Sequence, residues 1–189
     1  LFGQRGKDPD GVILSNFILS NGISDNLIIN DFLPTICKTR ILAQRQQLMR
    51  IDEEIIFDNS KEQIDELYYS ILKKIDKSNV VILSDYSKGV LTGNIVELII
   101  QTCTQKNIPV FVDPKWQSWS RFRNATCLTP NLHELEKYLN KKIITDEEIV
   151  AAGNELLQAL NMRWLLVTLG KDGLCLVSRE VQGEFMKSR

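Results

Sequence analysis

The sequence predicts an α/β fold built on a mostly parallel sheet held between helical layers. Three observations predict it. The runs Val80-Val81-Ile82-Leu83, Pro109-Val110-Phe111-Val112 and Trp164-Leu165-Leu166-Val167 are short and continuously apolar, as strands covered on both faces are. Longer stretches between them place apolar residues at helical spacing. This alternation is the signature of parallel strands joined by helical crossovers, and the more polar residues 35–52 stand outside it as a separate β flap.

Taken in order, Asp8-Pro9 reads as a helix cap followed by proline at the first helical position. Leu14, Phe17 and Ile18 supply the apolar stripe, and the helix ends near Gly22. Across 35–52, Ile36, Ile41, Leu42, Leu48 and Ile51 mix with Lys38, Arg40, Arg45 and Arg50 around Gln46-Gln47, which predicts a partly exposed hairpin or strand pair. Ser60 with Gln63 makes a capping box ahead of Ile64, Leu67, Ile71 and Ile75. A further helix is expected from Thr92 through Ile95, Leu98, Ile99 and Cys103. Residues 125–129 make a short strand and 132–139 a short helix. Thr145 with Glu148 opens a helix through Ile149, Leu156 and Leu160, and Leu174-Cys175-Leu176-Val177 is a last strand.

The 189 residues, 43% of them hydrophobic, suffice for one ordinary core, so the chain reads as one domain or most of one. With 23 basic against 24 acidic residues the formal charge is −1, which offers no broad positive field to nucleic acid or anionic lipid and leaves small molecules as the expected partners. No apolar run reaches the ~18 residues of a membrane span, and residues 1–10 lack the pattern of a signal peptide, so a cytoplasmic location is expected. Cys37, Cys103, Cys127 and Cys175 are widely spaced and form no zinc motif. His133 is the only histidine, which excludes histidine-based metal clusters. The chain opens without methionine and stops at Lys187-Ser188-Arg189, so both ends read as cut.

Ligands of open parallel sheets bind at the carboxyl ends of the strands. Four such ends are polar here: Ser84, Asp85, Ser87, Lys88 and Gly89; Asp113, Pro114 and Lys115; Thr129, Asn131 and Glu134; Thr168, Gly170 and Gly173. Together they suit a phosphorylated ligand. Lys88 and Lys115 meet phosphate charge, Glu134 holds magnesium directly or through water, and Gly170 permits close backbone approach. Each also has a plainer reading. Asn131 and Glu134 have capping-box spacing, Asp172-Gly173 is a common turn pair, the aspartates cap or turn, and the lysines are solvated. The case rests on four strand ends coinciding. No G-x-x-x-x-G-K-[ST] loop or G-x-G-x-x-G fingerprint is present.

These residues resemble a known superfamily. Gly3-x-x-Gly6-x-Asp8-x-x-Gly11, Thr129-Pro130-Asn131-Leu132-His133-Glu134 and Val167-Thr168-Leu169-Gly170-Lys171-Asp172-Gly173 resemble the G-x-x-G-x-D-x-x-G, N-x-x-E and V-T-x-G-x-x-G segments of ribokinase-like sugar kinases, in the same order. Lys38-Thr39-Arg40 through Gln46-Gln47-Leu48-Met49-Arg50-Ile51-Asp52, the 83–89 and 112–115 segments and Arg121-Phe122-Arg123-Asn124-Ala125-Thr126 are similar to the heptose 7-phosphate kinase branch.

The resemblance implies a ribokinase-like three-layer sandwich with a small β flap, incomplete at both ends. It implies transfer of the ATP γ-phosphate to the anomeric hydroxyl of D-glycero-β-D-manno-heptose 7-phosphate, on the route to ADP-heptose and lipopolysaccharide core. By the same analogy Asn131, Leu132, His133 and Glu134 lie near the ATP phosphates and magnesium, Thr168, Gly170 and Gly173 on the nucleotide side, and Asp113 and Lys115 in the shared cleft. Arg40, Arg50 and Lys88, with Asp85, are the expected sugar-phosphate contacts, since arginine forks match phosphate oxygens. The family's aspartate base belongs to a downstream G-A-G-D motif that these residues lack, so no catalytic base is named and the segment alone is expected to be inactive. Related kinases pair through their flaps, which makes a homodimer through 35–52 the expectation. Another sugar or nucleoside kinase on the same scaffold, or a binding relic without catalysis, remains an alternative.

Overall fold

The structure is a computed structural model and describes residues 1–44, 46–55, 59–115, 118–180 and 183–186. Two compact units share the chain: 1–72 with 88–90, and 73–87 with 91–189. The boundary therefore falls inside a helix rather than at the edge of the flap.

In the first unit β1 (Phe2–Gly6) and β2 (Asn26–Asn30) pair in parallel, with Phe2 opposite Asn26, and α1 (Pro9–Ser20) joins them. The Asp8 side chain caps α1 by accepting from the Gly11 N–H at 2.7 Å, as the Asp8-Pro9 pair predicts. Asp8 does more than cap. It also accepts from the Thr35 N–H at 2.6 Å and the Thr35 hydroxyl at 2.7 Å, and that hydroxyl accepts from the Gly6 N–H. A Cβ on Gly6 would lie 2.4 Å from Asp8 Oδ2 and 2.5 Å from the Leu33 carbonyl; one on Gly11 would lie 2.5 Å from the Gly6 carbonyl. The glycine spacing thus makes room for a lock around Thr35, two residues before the flap.

The flap is an antiparallel hairpin of β3 (Cys37–Ala43) and β4 (Gln46–Glu53), with a register shift between Ile41 and Leu42. Side chains alternate along strands, so the cross-strand pairs Thr39–Ile51 and Ile41–Met49 share one face, while Lys38–Asp52 and Arg40–Arg50 share the other. Arg45, at the turn, lies outside the described residues. α2 (Lys61–Ile75) follows with its capping box formed: Ser60 N–H donates to Gln63 Oε1 and Gln63 N–H to the Ser60 hydroxyl.

The second unit holds a sheet in the order β10 (Glu184–Met186), β9 (Leu174–Ser178), β8 (Trp164–Thr168), β7 (Cys127–Leu128), β6 (Val110–Asp113), β5 (Val81–Ser84). β5 to β8 run parallel, and β9 and β10 turn antiparallel. Ile95 and Ile99 of α3 (Ile95–Gln105), Leu156 of α5 (Asp146–Leu160), and Val112, Leu128, Leu165, Val167 and Cys175 of the strands form the buried core. α4 (Leu132–Leu139) has the bounds its sequence predicts. α3 starts three residues later than Thr92, because Gly93 takes φ +57°, a left-handed conformation that a helix cannot include. The strand expected over 125–129 shrinks to two residues, yet its flanks keep the ladder through Thr126 N–H to the Val110 carbonyl and Thr129 N–H to the Val112 carbonyl. Among the described residues no helix is long and apolar enough to cross a membrane.

Candidate functional site

The polar strand ends of the second unit are stitched together by their own backbone. Asp85 N–H donates to the Asp113 carbonyl at 2.8 Å, Thr129 N–H to Val112, and Thr168 N–H to the Pro130 carbonyl at 2.9 Å. Asn131 and Thr168 form a further parallel bridge. The segments after β5, β6, β7 and β8 therefore follow one another along a single edge of the sheet, as strand-end reasoning expects.

Among the described residues, two charged residues on this edge are buried, Asp85 at 7% exposure and Glu134 at 8%. Glu134 faces the lysine that follows β6. Its Oε2 accepts from the Asn131 N–H while Asn131 Oδ1 accepts from the Glu134 N–H, so the plain capping reading is correct as far as it goes. The other oxygen, Oε1, lies 3.6 Å from Lys115 Nζ. Asp113 belongs to the same group. The residue is open to solvent on one side, but surrounding protein shields its carboxyl, and that shielding first, then the charge of Glu134, raises its pKa; Lys115 and the Ser84 hydroxyl pull it back. The carboxylates of Asp113 and Glu134, with the partly exposed Lys115 beside Glu134, are oxygen donors of the kind a hard divalent cation takes, and its charge would relieve the repulsion that raises Asp113.

Asp85 is committed locally, with Oδ1 accepting from the Ser87 N–H at 2.8 Å. His133 is exposed and lies 3.9 Å from Glu136, on the solvent side of α4. Leu132 opens that helix. Thr168, Gly170 and Gly173 lie in a tight turn: Gly170 has φ +62° and Gly173 φ +99°, and the Leu169 N–H donates to the Gly173 carbonyl. Because β8 and β9 are antiparallel, this segment is a hairpin turn, and a Cβ on Gly170 would meet nothing within 4 Å.

Arg40, Arg50 and Lys88 fall in the first unit. Lys88 is not a free cation. It meets Glu54 at 2.6 Å, Glu54 meets Lys38 at 2.9 Å, Lys38 meets Asp52 at 3.1 Å, and Asp52 meets Arg50 at 2.9 Å. Hydrogen bonds from Lys88 and then Lys38 hold the Glu54 carboxyl below its ordinary range, and Lys38 does the same for Asp52. Three cations against two carboxylates leave the chain one positive charge. Arg40 faces Arg50 across the hairpin and, among the described residues, has no ion-pair partner.

Sequence reasoning did not single out Glu54 or Thr35, and it gave Ser84 only as one polar residue of a strand end, without a role. Each acts on a residue far away in sequence, and no local spacing marks them.

Residues 1–188 match the model of the pfkB family carbohydrate kinases. The chain belongs to that family. Among curated relatives it is 34% identical over 95% of its length to the bifunctional protein HldE of Koribacter versatilis, and 37% identical over 94% to that of Pasteurella multocida. It spans little more than a third of either relative, 37% and 36%. Among solved structures, Escherichia coli phosphofructokinase-2 in complex with potassium aligns at TM-score 0.79 and 14% identity, covering 98% of this chain and 60% of the other. Giardia lamblia ribokinase aligns at 0.76 and 16%, covering 98% and 57%. At such identities the likeness shows the fold, which is the ribokinase-like fold of pfkB kinases.

Proposed function

We propose that the chain is part of an ATP-dependent kinase that phosphorylates the anomeric hydroxyl of D-glycero-β-D-manno-heptose 7-phosphate, feeding ADP-heptose and lipopolysaccharide core synthesis in the cytoplasm. The observation that carries the reading is the single edge on which Asp113, Lys115, Asn131, Glu134 and Thr168 follow one another in a pfkB chain. Identity to HldE proteins supports the heptose branch.

In this reading the 131–134 turn, Thr168, Gly170 and Gly173 form the nucleotide wall. Gly170 leaves its backbone open to approach. Glu134 and Asp113 would hold magnesium, whose chemistry when bound is neutralisation of phosphate charge. Lys115 stands beside Glu134 as a cation 3.6 Å away.

For the sugar phosphate, the hairpin's charged face offers Arg40, which has no ion-pair partner among the described residues, and Arg50 and Lys88 as cations that a phosphate must take over from Asp52 and Glu54. Solvent-reached pairs of this kind exchange readily. The apolar face of the same hairpin, with Ile41, Met49 and Ile51 at 43%, 53% and 44% exposure, is a suitable surface for homodimer pairing.

The deciding experiment is a substrate panel on the full protein, with Lys88→Met beside the wild type. Heptose 7-phosphate should be the preferred acceptor, and the variant should raise the sugar-phosphate KM far more than the ATP KM. Equal effects on both would sink the Lys88 assignment, and turnover of fructose 6-phosphate or ribose in preference would sink the substrate. Light scattering on a hairpin variant, Ile41→Lys with Ile51→Lys, tests the dimer.

A further inference from the structure

Trp119 has no role in the reading above, yet it is wholly buried in the second unit within a short 3-10 turn, Trp119–Phe122. Its indole Nε1–H donates to the Lys115 carbonyl. Its ring stacks on Tyr138 of α4, with centroids 4.5 Å apart and planes 12° from parallel. Lys115 leaves the end of β6, and α4 begins with the Asn131–Glu134 box, so one side chain touches the supports of both members of the Lys115–Glu134 pair. Two residues on, the Arg121 guanidinium donates to the Leu91 carbonyl, fastening the same turn to the segment that leads into α3.

We propose that Trp119 is a positioning residue for the nucleotide wall: it fixes Lys115 relative to Glu134 by holding the Lys115 backbone on one side and α4 on the other. Three features argue against mere core filling. An aliphatic residue would fill the volume, whereas the indole supplies both a donor, to Lys115, and a flat stacking face, to Tyr138. The donor goes to a strand-end loop, not to a regular ladder, so the bond sets a conformation that no sheet hydrogen bond sets. The ring lies against the helix whose first turn carries Glu134, and a buried aromatic pair has a defined geometry that a rigid helix carries to its end.

The inference rests on the kinase reading, so the test has two arms on the full protein. In the first, without nucleotide, hydrogen exchange by mass spectrometry follows the 110–115 and 131–138 segments. Trp119→Phe keeps a ring on Tyr138 and loses the N–H donor; Tyr138→Leu keeps the donor and loses the stack. Each should speed exchange locally while the rest of the second unit stays protected. In the second arm, each variant should raise the KM for magnesium–ATP about fivefold, the equivalent of one net hydrogen bond. The sugar-phosphate KM and kcat should stay within about twofold, the pattern of lost binding and not of lost chemistry. Faster exchange with an unchanged ATP KM, or equal shifts in both KM values, overturns the positioning role. A wild type that neither binds nor uses nucleotide overturns the kinase reading itself, and the exchange arm still reports whether the brace exists.

Discussion

Replacing Thr35 by valine tests what the glycine–aspartate segment is for. The swap is nearly isosteric, so it opens no cavity and removes only the hydroxyl. That hydroxyl donates to Asp8 Oδ1 at 2.7 Å and accepts from the buried Gly6 N–H at 2.9 Å. Asp8 keeps its bonds from the Gly11 and Thr35 N–H groups, so the larger loss is at Gly6, whose buried donor is left without an acceptor. An unsatisfied buried donor costs about 1–3 kcal/mol, which makes about 2 kcal/mol the expected local destabilisation. Native-state hydrogen exchange of the 30–43 segment reads it directly, as about a 30-fold faster opening, since 1.4 kcal/mol is a factor of ten. Thr35→Ser keeps the hydroxyl and should stay close to the wild type. Exchange in Thr35→Val equal to the wild type, or as fast in Thr35→Ser as in Thr35→Val, would refute the lock and return the segment to an unexplained family feature.

Gly6→Ala should prevent accumulation of soluble protein, because its Cβ meets two backbone atoms, the Leu33 carbonyl and the Thr35 nitrogen, at 2.5 and 2.7 Å; normal expression with native exchange behaviour would count against it. Glu134→Gln should leave α4 capped, since an amide oxygen still accepts from the Asn131 N–H, while magnesium–nucleotide affinity measured by calorimetry falls by an order of magnitude or about that. Cys127 and Cys175, pushed up to about 11 by burial, should stay unreactive to a disulfide reagent at neutral pH, with Cys37 reacting first; rapid titration of all four thiols in native protein would contradict the core described. Acid should loosen the first unit. Asp8, Asp52 and Glu54 have folded pKa values below their ordinary 3.8, 3.8 and 4.5, so the unfolded state binds more protons there, and their stabilisation, full above those values, is lost as pH falls through the lowered ones. The second unit is mixed: Glu136, Glu147 and Glu148 are lowered in the same way and lose their stabilisation in acid, while the raised pKa of Asp113 acts in the opposite sense, withdrawing stability as pH rises from 3.8 through the folded value. Exchange of the 30–53 segment should therefore rise on acidification, and exchange unchanged down to the lowered values would count against the ion-pair chain.

Local chemistry made much of this legible in the sequence. The three boxes at Ser60–Gln63, Asn131–Glu134 and Thr145–Glu148 form as written, because a cap is satisfied within four residues of itself. β6 and β8 showed through their apolar runs; β5 formed from its run too, but as an edge strand it is not covered on both faces, with Ile82 70% exposed. The four strand ends share one edge through Asp85, Asp113, Thr129 and Thr168, while Lys88 and Gly89, expected with the first of them, fall in the first unit. β1 and β2 did not show. Phe2–Gly6 carries two glycines with glutamine and arginine, and it is a strand only because Asn26–Asn30 pairs with it in register. The plainer reading of Thr168–Gly173, a hairpin turn on its Asp172-Gly173 pair, is the one that formed: β8 and β9 are antiparallel, and the residues between Thr168 and Leu174 are too few for the crossover that parallel strands need. The ion-pair chain was hidden for another reason: Glu54 and Lys88 are 34 residues apart, and composition alone makes each a solvated charge.

For Glu134 the capping and chemical readings are not alternatives. A carboxylate has two oxygens, and α4 uses one: Oε2 takes the Asn131 N–H, which leaves Oε1 toward Lys115. The cap is what makes the second oxygen useful. It removes the side chain's rotational freedom and fixes the free oxygen at a helix N-terminus, where backbone donors and the helix dipole already favour negative charge. A glutamate held only by solvent would lose that order each time a ligand arrived. A capping box at the carboxyl end of a parallel strand is therefore a way to present a carboxylate oxygen at a fixed place. The same N-x-x-E spacing that marks a helix start marks a site when, as here, the strand ends on either side are polar and stitched to it.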